Sequence, residues 1–231
     1  MKDELKKIIK EFHERDLFET FEREIEIPFD SKKIITIIGP RRSGKTFLLH
    51  NLIKSIKDRT NVIYINFEDE RINLGMKDLD LIFQAYFELY PEKKEKDLFL
   101  FFDELQEVPG WEKFVRRVYD TITQKIFLTG SSAKLLSKEI ATSLRGRTIS
   151  YELYPLSFRE YLEFRGIEVE QNTTKGLAKI KKEFNDYLFN GAFPELVNFR
   201  DELRRKSLND YLDVMIYRDL IERYNLSNSS S

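Results

Sequence analysis

The chain has 231 residues, which is enough for one sizeable core or for a core domain with a smaller second region. It contains no cysteine, which excludes disulfides, thiolate catalysis and cysteine-based zinc sites. Its 39 basic and 40 acidic residues leave a net charge of −1, so the overall charge gives no support to nucleic-acid binding. No apolar run is long enough to span a bilayer, and the N-terminus lacks the apolar region of a signal peptide. We therefore expect a soluble, cytoplasmic protein without a membrane partner.

An amphipathic helix is predicted at the N-terminus, within residues 1–17, because apolar residues recur there at helical spacing. Apolar and polar residues then alternate over 24–29, which predicts an extended segment, and Pro28 within it favours a sheet edge. Arg15 or Phe21, both upstream of the motif described next, are placed to contact an adenine ring. Ordinary packing against the sheet edge is the alternative that we favour.

The motif around which the chain is organised lies between a predicted strand and a predicted helix. The residues from Ile34 to Ile38 are mostly β-branched and apolar, as expected for a strand that is buried on both faces of a parallel sheet. Leucines and isoleucines at helical spacing begin at Leu48. The residues between them fit G-x-x-x-x-G-K-[ST] and are Gly39, Pro40, Arg41, Arg42, Ser43, Gly44, Lys45 and Thr46.

Phosphate chemistry explains the residue types in this loop. Backbone N–H groups can wrap a polyphosphate only where side chains do not obstruct the approach, which accounts for Gly39 and Gly44. The positive end of the following helix faces the anion. Lys45 is expected to contact the β- and γ-phosphates, and the hydroxyl of Thr46 to ligate Mg²⁺. The sequence thus predicts ATP and Mg²⁺ as cofactors, held by the loop and by Phe47 after it. Adenine is favoured over guanine because the sequence contains no N-K-x-D element, the motif that recognises guanine.

Two predicted strands end in acidic residues, at the sheet edge where open α/β folds bind ligands. Residues 61–67 are followed by the cluster 68–70, for which we favour capping of the next helix over contact with Mg²⁺ or a water. Residues 98–104, LFLFFDE, form the Walker B pattern. In this pattern Asp103 holds Mg²⁺ directly or through water, and Glu104 orients and deprotonates the attacking water.

Later elements supply polar and cationic candidates. A short strand at 125–128 is followed by small polar residues, and Ser131 or Ser132 is expected to contact the γ-phosphate and the lytic water as sensor 1. A simple turn is the alternative. Arg145 and Arg147 precede a fifth strand, and either could neutralise transition-state charge on its own nucleotide or on a neighbour's. For these arginines the alternative is a surface ion pair.

Helical periodicity dominates beyond Pro155. It predicts a core domain at 1–154, a small helical lid or adaptor region at 155–225 and a disordered tail at 226–231. The polar run 171–176 marks a flexible connection within the helical region.

A set of segments occurs in a specific order: GPRRSGKTFLL, YINFEDER, LFFDELQEVPGWEKFVRRVYD, KIFLTGSSAKLLSKEIATSLRGR, YELYPLSFREYL, GAFPELV and YRDLIERY. Together they resemble the prokaryotic AAA+-like ATPases common in archaea that carry a carboxy-terminal domain of unknown function. The resemblance covers nearly the whole of residues 34–224. Members of that family continue past the YRDLIERY element through a winged-helix-like region, so this chain is expected to be either a fragment or a short member. An activity that resides in that further region, including DNA contact, is not predicted for these residues.

The resemblance implies an α/β P-loop NTPase fold of the additional-strand, catalytic-glutamate type. Its parallel five-stranded sheet has helices on both faces, and an extra strand separates the Walker A strand from the Walker B strand. A small helical region follows. The resemblance implies that Lys45 and Thr46 contact phosphate and Mg²⁺, and that Asp103 and Glu104 contact Mg²⁺ and water. It places Ser131 or Ser132 at the sensor position. It also matches Arg145 and Arg147 to the family's LRGR element, which implies an arginine finger.

Three functions are compatible with these residues. We favour Mg²⁺-dependent hydrolysis of ATP to ADP and phosphate, with a homo-oligomer required if the arginine acts in trans. A slow nucleotide switch that acts through a protein partner shares every phosphate-binding residue. A DNA-associated remodelling or loader ATPase rests on fold-level analogy alone, and the balanced charge disfavours it.

Overall fold

The structure is a computed structural model that describes residues 1–131, 137–168, 170 and 172–217. Its helices and strands, in chain order, are α1 (Lys2–Glu14), β1 (Ile34–Gly39), α2 (Lys45–Lys54), β2 (Val62–Asn66), α3 (Asp80–Leu89), β3 (Phe99–Asp103), α4 (Trp111–Thr121), β4 (Ile126–Ser131), α5 (Ser137–Ser143), β5 (Thr148–Glu152), α6 (Phe158–Phe164), α7 (Thr174–Asn190) and α8 (Asp201–Val214). In the described ranges, no helix is long and apolar enough to cross a membrane.

The strands form one five-stranded parallel sheet in the order β2-β3-β4-β1-β5. Ile34 lies opposite Thr148 in the pairing of β1 with β5, and Phe102 lies opposite Leu128 in the pairing of β3 with β4. β4 therefore separates the Walker A strand β1 from the Walker B strand β3. The predicted α/β P-loop fold with an additional strand is confirmed.

The described chain divides into two compact units. The first contains residues 1–20, 26–38 and 45–152. The second contains residues 21–25 and 39–44 together with the described residues from 153 onward. The loop that precedes Lys45 thus belongs to the same unit as the C-terminal helices. The domain boundaries given by the sequence stay predictions.

Apolar periodicity explains the core of the first unit. Every residue of β1 is buried, as the uninterrupted apolar run predicts. The predicted stripe of α1 (Leu5, Ile8, Ile9 and Phe12) is buried as well. Trp111 opens α4 with 5% of its surface exposed, and it joins this core together with Phe114, Val115 and Val118 from the same helix.

A smaller apolar cluster forms the core of the second unit. It contains Leu156, Tyr161, Ala192 and Val197. Phe21 packs against this cluster of helical residues and not against the sheet edge as expected, with its ring centroid 5.3 Å from that of Phe164.

The extended segment expected over residues 24–29 does not form a strand. The backbone N–H of Glu24 donates to a carboxylate oxygen of Glu160 at 2.8 Å, so a side chain satisfies the group that a neighbouring strand would otherwise bind.

Candidate functional site

Two glycines of the phosphate-binding loop are required for different reasons. At Gly39 an added Cβ would lie 2.1 Å from the carbonyl oxygen of Leu153, which is backbone and cannot move aside. At Gly44 the φ angle is +100°, a conformation that residues with a Cβ rarely adopt. Between them the N–H of Ser43 donates to the carbonyl oxygen of Pro40 at 3.3 Å and closes a turn. The loop therefore has the backbone shape that the motif predicts.

Arg42, in the same loop, has a left-handed backbone with φ of 64°. Its Nη1 lies 2.5 Å from Oε2 of Glu195, and its guanidinium lies 4.8 Å from the ring centroid of Tyr211. The Tyr211 hydroxyl donates to Glu195 at 2.6 Å. That hydrogen bond, together with Arg42, holds the pKa of the Glu195 carboxyl below its usual value against the effect of burial. The pair is about half exposed, so it contributes at most about 1 kcal/mol.

The first unit brings the predicted lysine and glutamate together. Lys45 begins α2, Glu104 follows β3, and the Nζ of the lysine lies 3.8 Å from Oε1 of the glutamate. Both side chains are almost fully buried. Burial raises the pKa of the Glu104 carboxyl, although Lys45 and a hydrogen bond from the side-chain amide of Gln106 act against this rise. A carboxyl with a raised pKa in a charged site is a candidate general base.

Asp103 accepts hydrogen bonds from three hydroxyl groups on three elements. Thr46 of α2 donates at 2.7 Å and Tyr64 of β2 at 3.0 Å, both to Oδ2. Thr129 of β4 donates to Oδ1. Together these three hydroxyl groups fix the orientation of the carboxylate. The predicted pair Thr46 and Asp103 thus presents two adjacent oxygens in the first unit.

Those two oxygens fit Mg²⁺, a hard cation that takes oxygen ligands. Within the described residues, no group of three or more His, Cys, Asp or Glu is placed to hold a metal. The oxygens of Thr46 and Asp103 match the donor set expected for Mg²⁺ in nucleotide sites, where one or two protein oxygens act together with the phosphates of the substrate.

The backbone at Glu104 is also unusual. Its φ of 55° lies in the left-handed region, which costs a residue with a Cβ on the order of 1–3 kcal/mol and is found mostly at functional sites. Its N–H donates to the hydroxyl oxygen of Thr129 at 3.1 Å. The same threonine therefore contacts both acidic residues, Asp103 through its proton and Glu104 through its oxygen.

Sequence reasoning missed Tyr64, Gln106 and Thr129. Thr129 lies beside Asp103 because Phe102 pairs with Leu128 one position earlier. Thr129 is the first of the small polar residues that follow residues 125–128, but its contact with Asp103 depends on β4 being the neighbour of β3. The predicted sensor residue Ser131 ends β4, but its side chain lies outside the part that the structure describes, as does the whole of Ser132. The sensor assignment stays a prediction.

The predicted arginine fingers lie at the other edge of the sheet. The carbonyl oxygen of Arg147 accepts a hydrogen bond from the N–H of Ile34 at 2.8 Å, at the start of β1. The guanidinium of Arg147 pairs with Asp120 at 3.1 Å, which is the kind of surface ion pair expected as the alternative to an arginine finger. Arg145 is exposed, just before β5. A strand of six residues spans on the order of 15–20 Å. Lys45 follows the opposite end of β1, so this placement disfavours action on the chain's own nucleotide.

The acidic cluster after β2 does not cap a helix, and that prediction is wrong. Oδ1 of Asp69 accepts from the backbone N–H of Arg71 at 3.0 Å, which closes a turn, and its carboxylate pairs with the same arginine's guanidinium. The next α-helix, α3, begins only at Asp80. Arg71 also pairs with Glu11 at 2.7 Å. Asp69 therefore has a local structural role.

Residues 31–162 match the protein family described as AAA domain. The chain belongs to this family. The match confirms the resemblance drawn from the motifs and, with the parallel sheet, makes this AAA chain a P-loop protein of the nucleotide-binding type.

Comparisons with individual proteins find similar uncharacterized proteins in Methanocaldococcus jannaschii and in Haemophilus influenzae. This AAA chain is 44% identical over 210 residues to an uncharacterized protein of Methanocaldococcus jannaschii, covering 89% of this chain and 46% of the relative. An uncharacterized ATP-binding protein of the same organism is 34% identical over 99 residues, covering 39% of this chain and 27% of the relative. The chain thus spans about half the length of the first relative.

A solved structure is also similar. The structure of C. elegans PCH-2 matches with 15% identity and a TM-score of 0.42, covering 78% of this chain and 62% of that chain.

Proposed function

We propose that this AAA chain binds Mg·ATP and hydrolyses it to ADP and phosphate. The observation that carries the proposal is the convergence of Lys45, Thr46, Asp103 and Glu104 in one unit, with the lysine 3.8 Å from the glutamate and the threonine 2.7 Å from the aspartate. Membership of the AAA family and similarity to a relative named as ATP-binding support nucleotide as the ligand.

Each side chain has a distinct task in this proposal. Lys45 is a buried cation that would leave Glu104 and contact the β- and γ-phosphates when nucleotide binds. Glu104, released from that cation, would accept the proton of the attacking water at its carboxylate. Gln106, which donates to the carboxylate, holds it in orientation. Thr46 and Asp103 would hold Mg²⁺, which supplies charge neutralisation for the phosphate oxygens.

Two measurements on one folded preparation test the proposal. Isothermal titration calorimetry with Mg·ATP measures binding, and steady-state phosphate release measures hydrolysis. We expect heat of binding and turnover that require Mg²⁺. A folded sample that gives no heat with Mg·ATP would overturn the proposal, whereas binding without turnover would favour the nucleotide switch.

Thr129→Val is expected to lower kcat by about 10- to 100-fold and the free energy of unfolding by about 1–3 kcal/mol, because valine leaves the N–H of Glu104 and an oxygen of Asp103 without their buried partner. Phosphate release and chemical denaturation measure the two effects. Thr129→Ser keeps the hydroxyl and serves as the matched control, for which kcat is expected close to wild type. Equal kcat in the valine and serine variants would contradict the role given to this hydroxyl.

Specific turnover is expected to rise with protein concentration. Arg145 and Arg147 lie at the sheet edge remote from Lys45, so either of them could stabilise a transition state only on the nucleotide of a second copy. Phosphate release per chain, measured over a wide range of chain concentration, tests this. An Arg145→Ala, Arg147→Ala double variant should abolish the rise. Turnover independent of concentration in the wild type would contradict a finger in trans.

A further inference from the structure

A buried arginine of the second unit is bonded to the backbone of the phosphate-binding loop. Arg23 lies in the irregular segment before β1, and its side chain is 8% exposed. Its Nη1 donates to the carbonyl oxygen of Ser43 at 3.0 Å, and its Nη2 donates to the carbonyl oxygen of Tyr154 at 2.8 Å.

Glu160, near the start of α6, fixes the orientation of Arg23. Its carboxylate accepts from Nε at 2.8 Å and from Nη2 at 3.1 Å, which is a bidentate pair. It also accepts from the backbone N–H groups of Glu24 and Ser157, each at 2.8 Å. Burial acts to raise the pKa of the Glu160 carboxyl, but these hydrogen bonds outweigh it and hold the pKa below its usual value. The guanidinium is therefore held in a single orientation toward the loop.

The carbonyl of Ser43 determines where the N–H of Gly44 points. The described residues contain no cis peptide bond, so the C=O and N–H of this peptide point in opposite directions. Because Arg23 holds the carbonyl oxygen, the N–H of Gly44 is directed away from the arginine. Turning this peptide over would break a hydrogen bond to a charged donor.

Phosphate-binding loops work through N–H groups that converge on the anion. A loop in which one peptide is free to rotate must be ordered when the phosphate binds, and that ordering weakens affinity. A peptide whose carbonyl oxygen is bound by a buried arginine has its N–H group in a fixed direction before the phosphate binds.

We propose that Arg23 is a positioning residue for phosphate binding, which acts by holding the Ser43 carbonyl so that the N–H of Gly44 is a preset donor to the nucleotide. The proposal rests on the nucleotide binding proposed above. Arg23 itself does not contact the nucleotide in this arrangement. Its loss weakens binding through the direction of a neighbouring peptide.

The sequence allows this peptide to be observed directly. Of the nine glycines in the chain, Gly44 alone follows a serine. Labelling with ¹³C-carbonyl serine and ¹⁵N-glycine therefore gives one carbonyl–amide NMR correlation, that of the Ser43–Gly44 peptide. Mg·ADP is the probe, since it carries the β-phosphate and is not consumed.

In the wild type, Mg·ADP is expected to move the Gly44 amide proton downfield. In Arg23→Gln the free-state resonance should already differ from wild type, the shift with Mg·ADP should be smaller, and Kd should weaken by roughly tenfold, the effect of losing one hydrogen bond to a charged group. A change in stability alone would not move this resonance in the folded protein.

Arg165→Gln is the matched control. It removes another arginine of the second unit, one that pairs with Glu183 at 2.8 Å, and it should leave the Gly44 resonance and Kd as in wild type. If Arg23→Gln does not fold, Arg23→Lys, which keeps the charge opposite Glu160, takes its place and is expected to give a smaller effect of the same kind.

The outcomes separate this inference from the proposed function. If Mg·ADP leaves the Gly44 resonance of the wild type unchanged and calorimetry shows no heat of binding, the proposed nucleotide binding is wrong and so is this inference. A wild type that binds, beside a folded Arg23 variant with the same Kd and the same Gly44 resonance, overturns the positioning role alone.

Discussion

Glu104→Gln is expected to lower kcat for ATP hydrolysis by about 10²- to 10⁴-fold, because glutamine cannot take the proton of the attacking water. Binding of Mg·ATP should remain close to wild type, since Lys45 and Thr46 are unchanged. Steady-state phosphate release and calorimetric titration of the same preparation measure the two quantities. The split between them is the signature of a general base, as distinct from a residue that binds substrate.

Glu107→Gln provides the comparison for this variant. Glu107 lies three residues along the chain and is exposed, so the same chemical change should leave kcat near that of the wild type. Hydrolysis at the wild-type rate by Glu104→Gln would show that another group activates the water.

The pH profile gives an independent check of the same residue. A general base must be ionised, and burial shifts the Glu104 carboxyl toward its neutral form by raising its pKa. In the wild type, kcat/KM is therefore expected to fall as the pH is lowered, and to do so at a higher pH than an unperturbed glutamate would give. This acidic limb should be absent from the residual activity of Glu104→Gln. A wild-type profile that is flat across the acidic range would contradict the assignment.

Lys45→Met is expected to weaken Mg·ATP binding by at least about tenfold and to abolish turnover. Methionine keeps much of the buried aliphatic stem but removes the charge that would contact the phosphates, and hydrogen bonds to charged groups contribute about 1.5–3 kcal/mol each. The variant also leaves Glu104 without its buried cation, so a loss of thermal stability is expected as well. Calorimetry and thermal denaturation measure the two effects.

Lys54→Met is the matched control for that change. Lys54 ends the same helix, is exposed and donates to the hydroxyl of Thr20 at 3.0 Å. Its loss should leave Mg·ATP affinity and turnover nearly unchanged. Wild-type affinity in Lys45→Met would show that the phosphates bind elsewhere.

Local patterns were sufficient to predict the elements on which this site is built. The apolar run of β1, the glycines of the loop and the acidic end of β3 are each encoded within a few neighbouring residues, and all three lie where the sequence predicts. In each of them the residue types predict the chemistry, and the spacing of apolar residues predicts the strand or helix that positions it. Membership of the AAA family could be predicted for the same reason, because the motifs of the family are contiguous segments.

Contacts between distant residues could not be predicted in this way. Thr129 reaches Asp103 because of the order of strands in the sheet, and that order is not visible in either strand alone. Arg23 and Glu160 are separated by 137 positions in the chain. Asp69 was misassigned because an acidic residue after a strand suits a helix cap and a tight turn equally well, and here the distance to α3 decides for the turn.

The assignment of the loop to the second unit limits how this protein can be taken apart. A truncation after Glu152 would keep the whole motif, yet it would delete Glu160 and Glu195, the carboxylates that hold Arg23 and Arg42. The C-terminal helices are thus no detachable accessory. A chimera that exchanges these helices must supply a buried carboxylate for Arg23, because this arginine is the one that holds the backbone of the phosphate-binding loop.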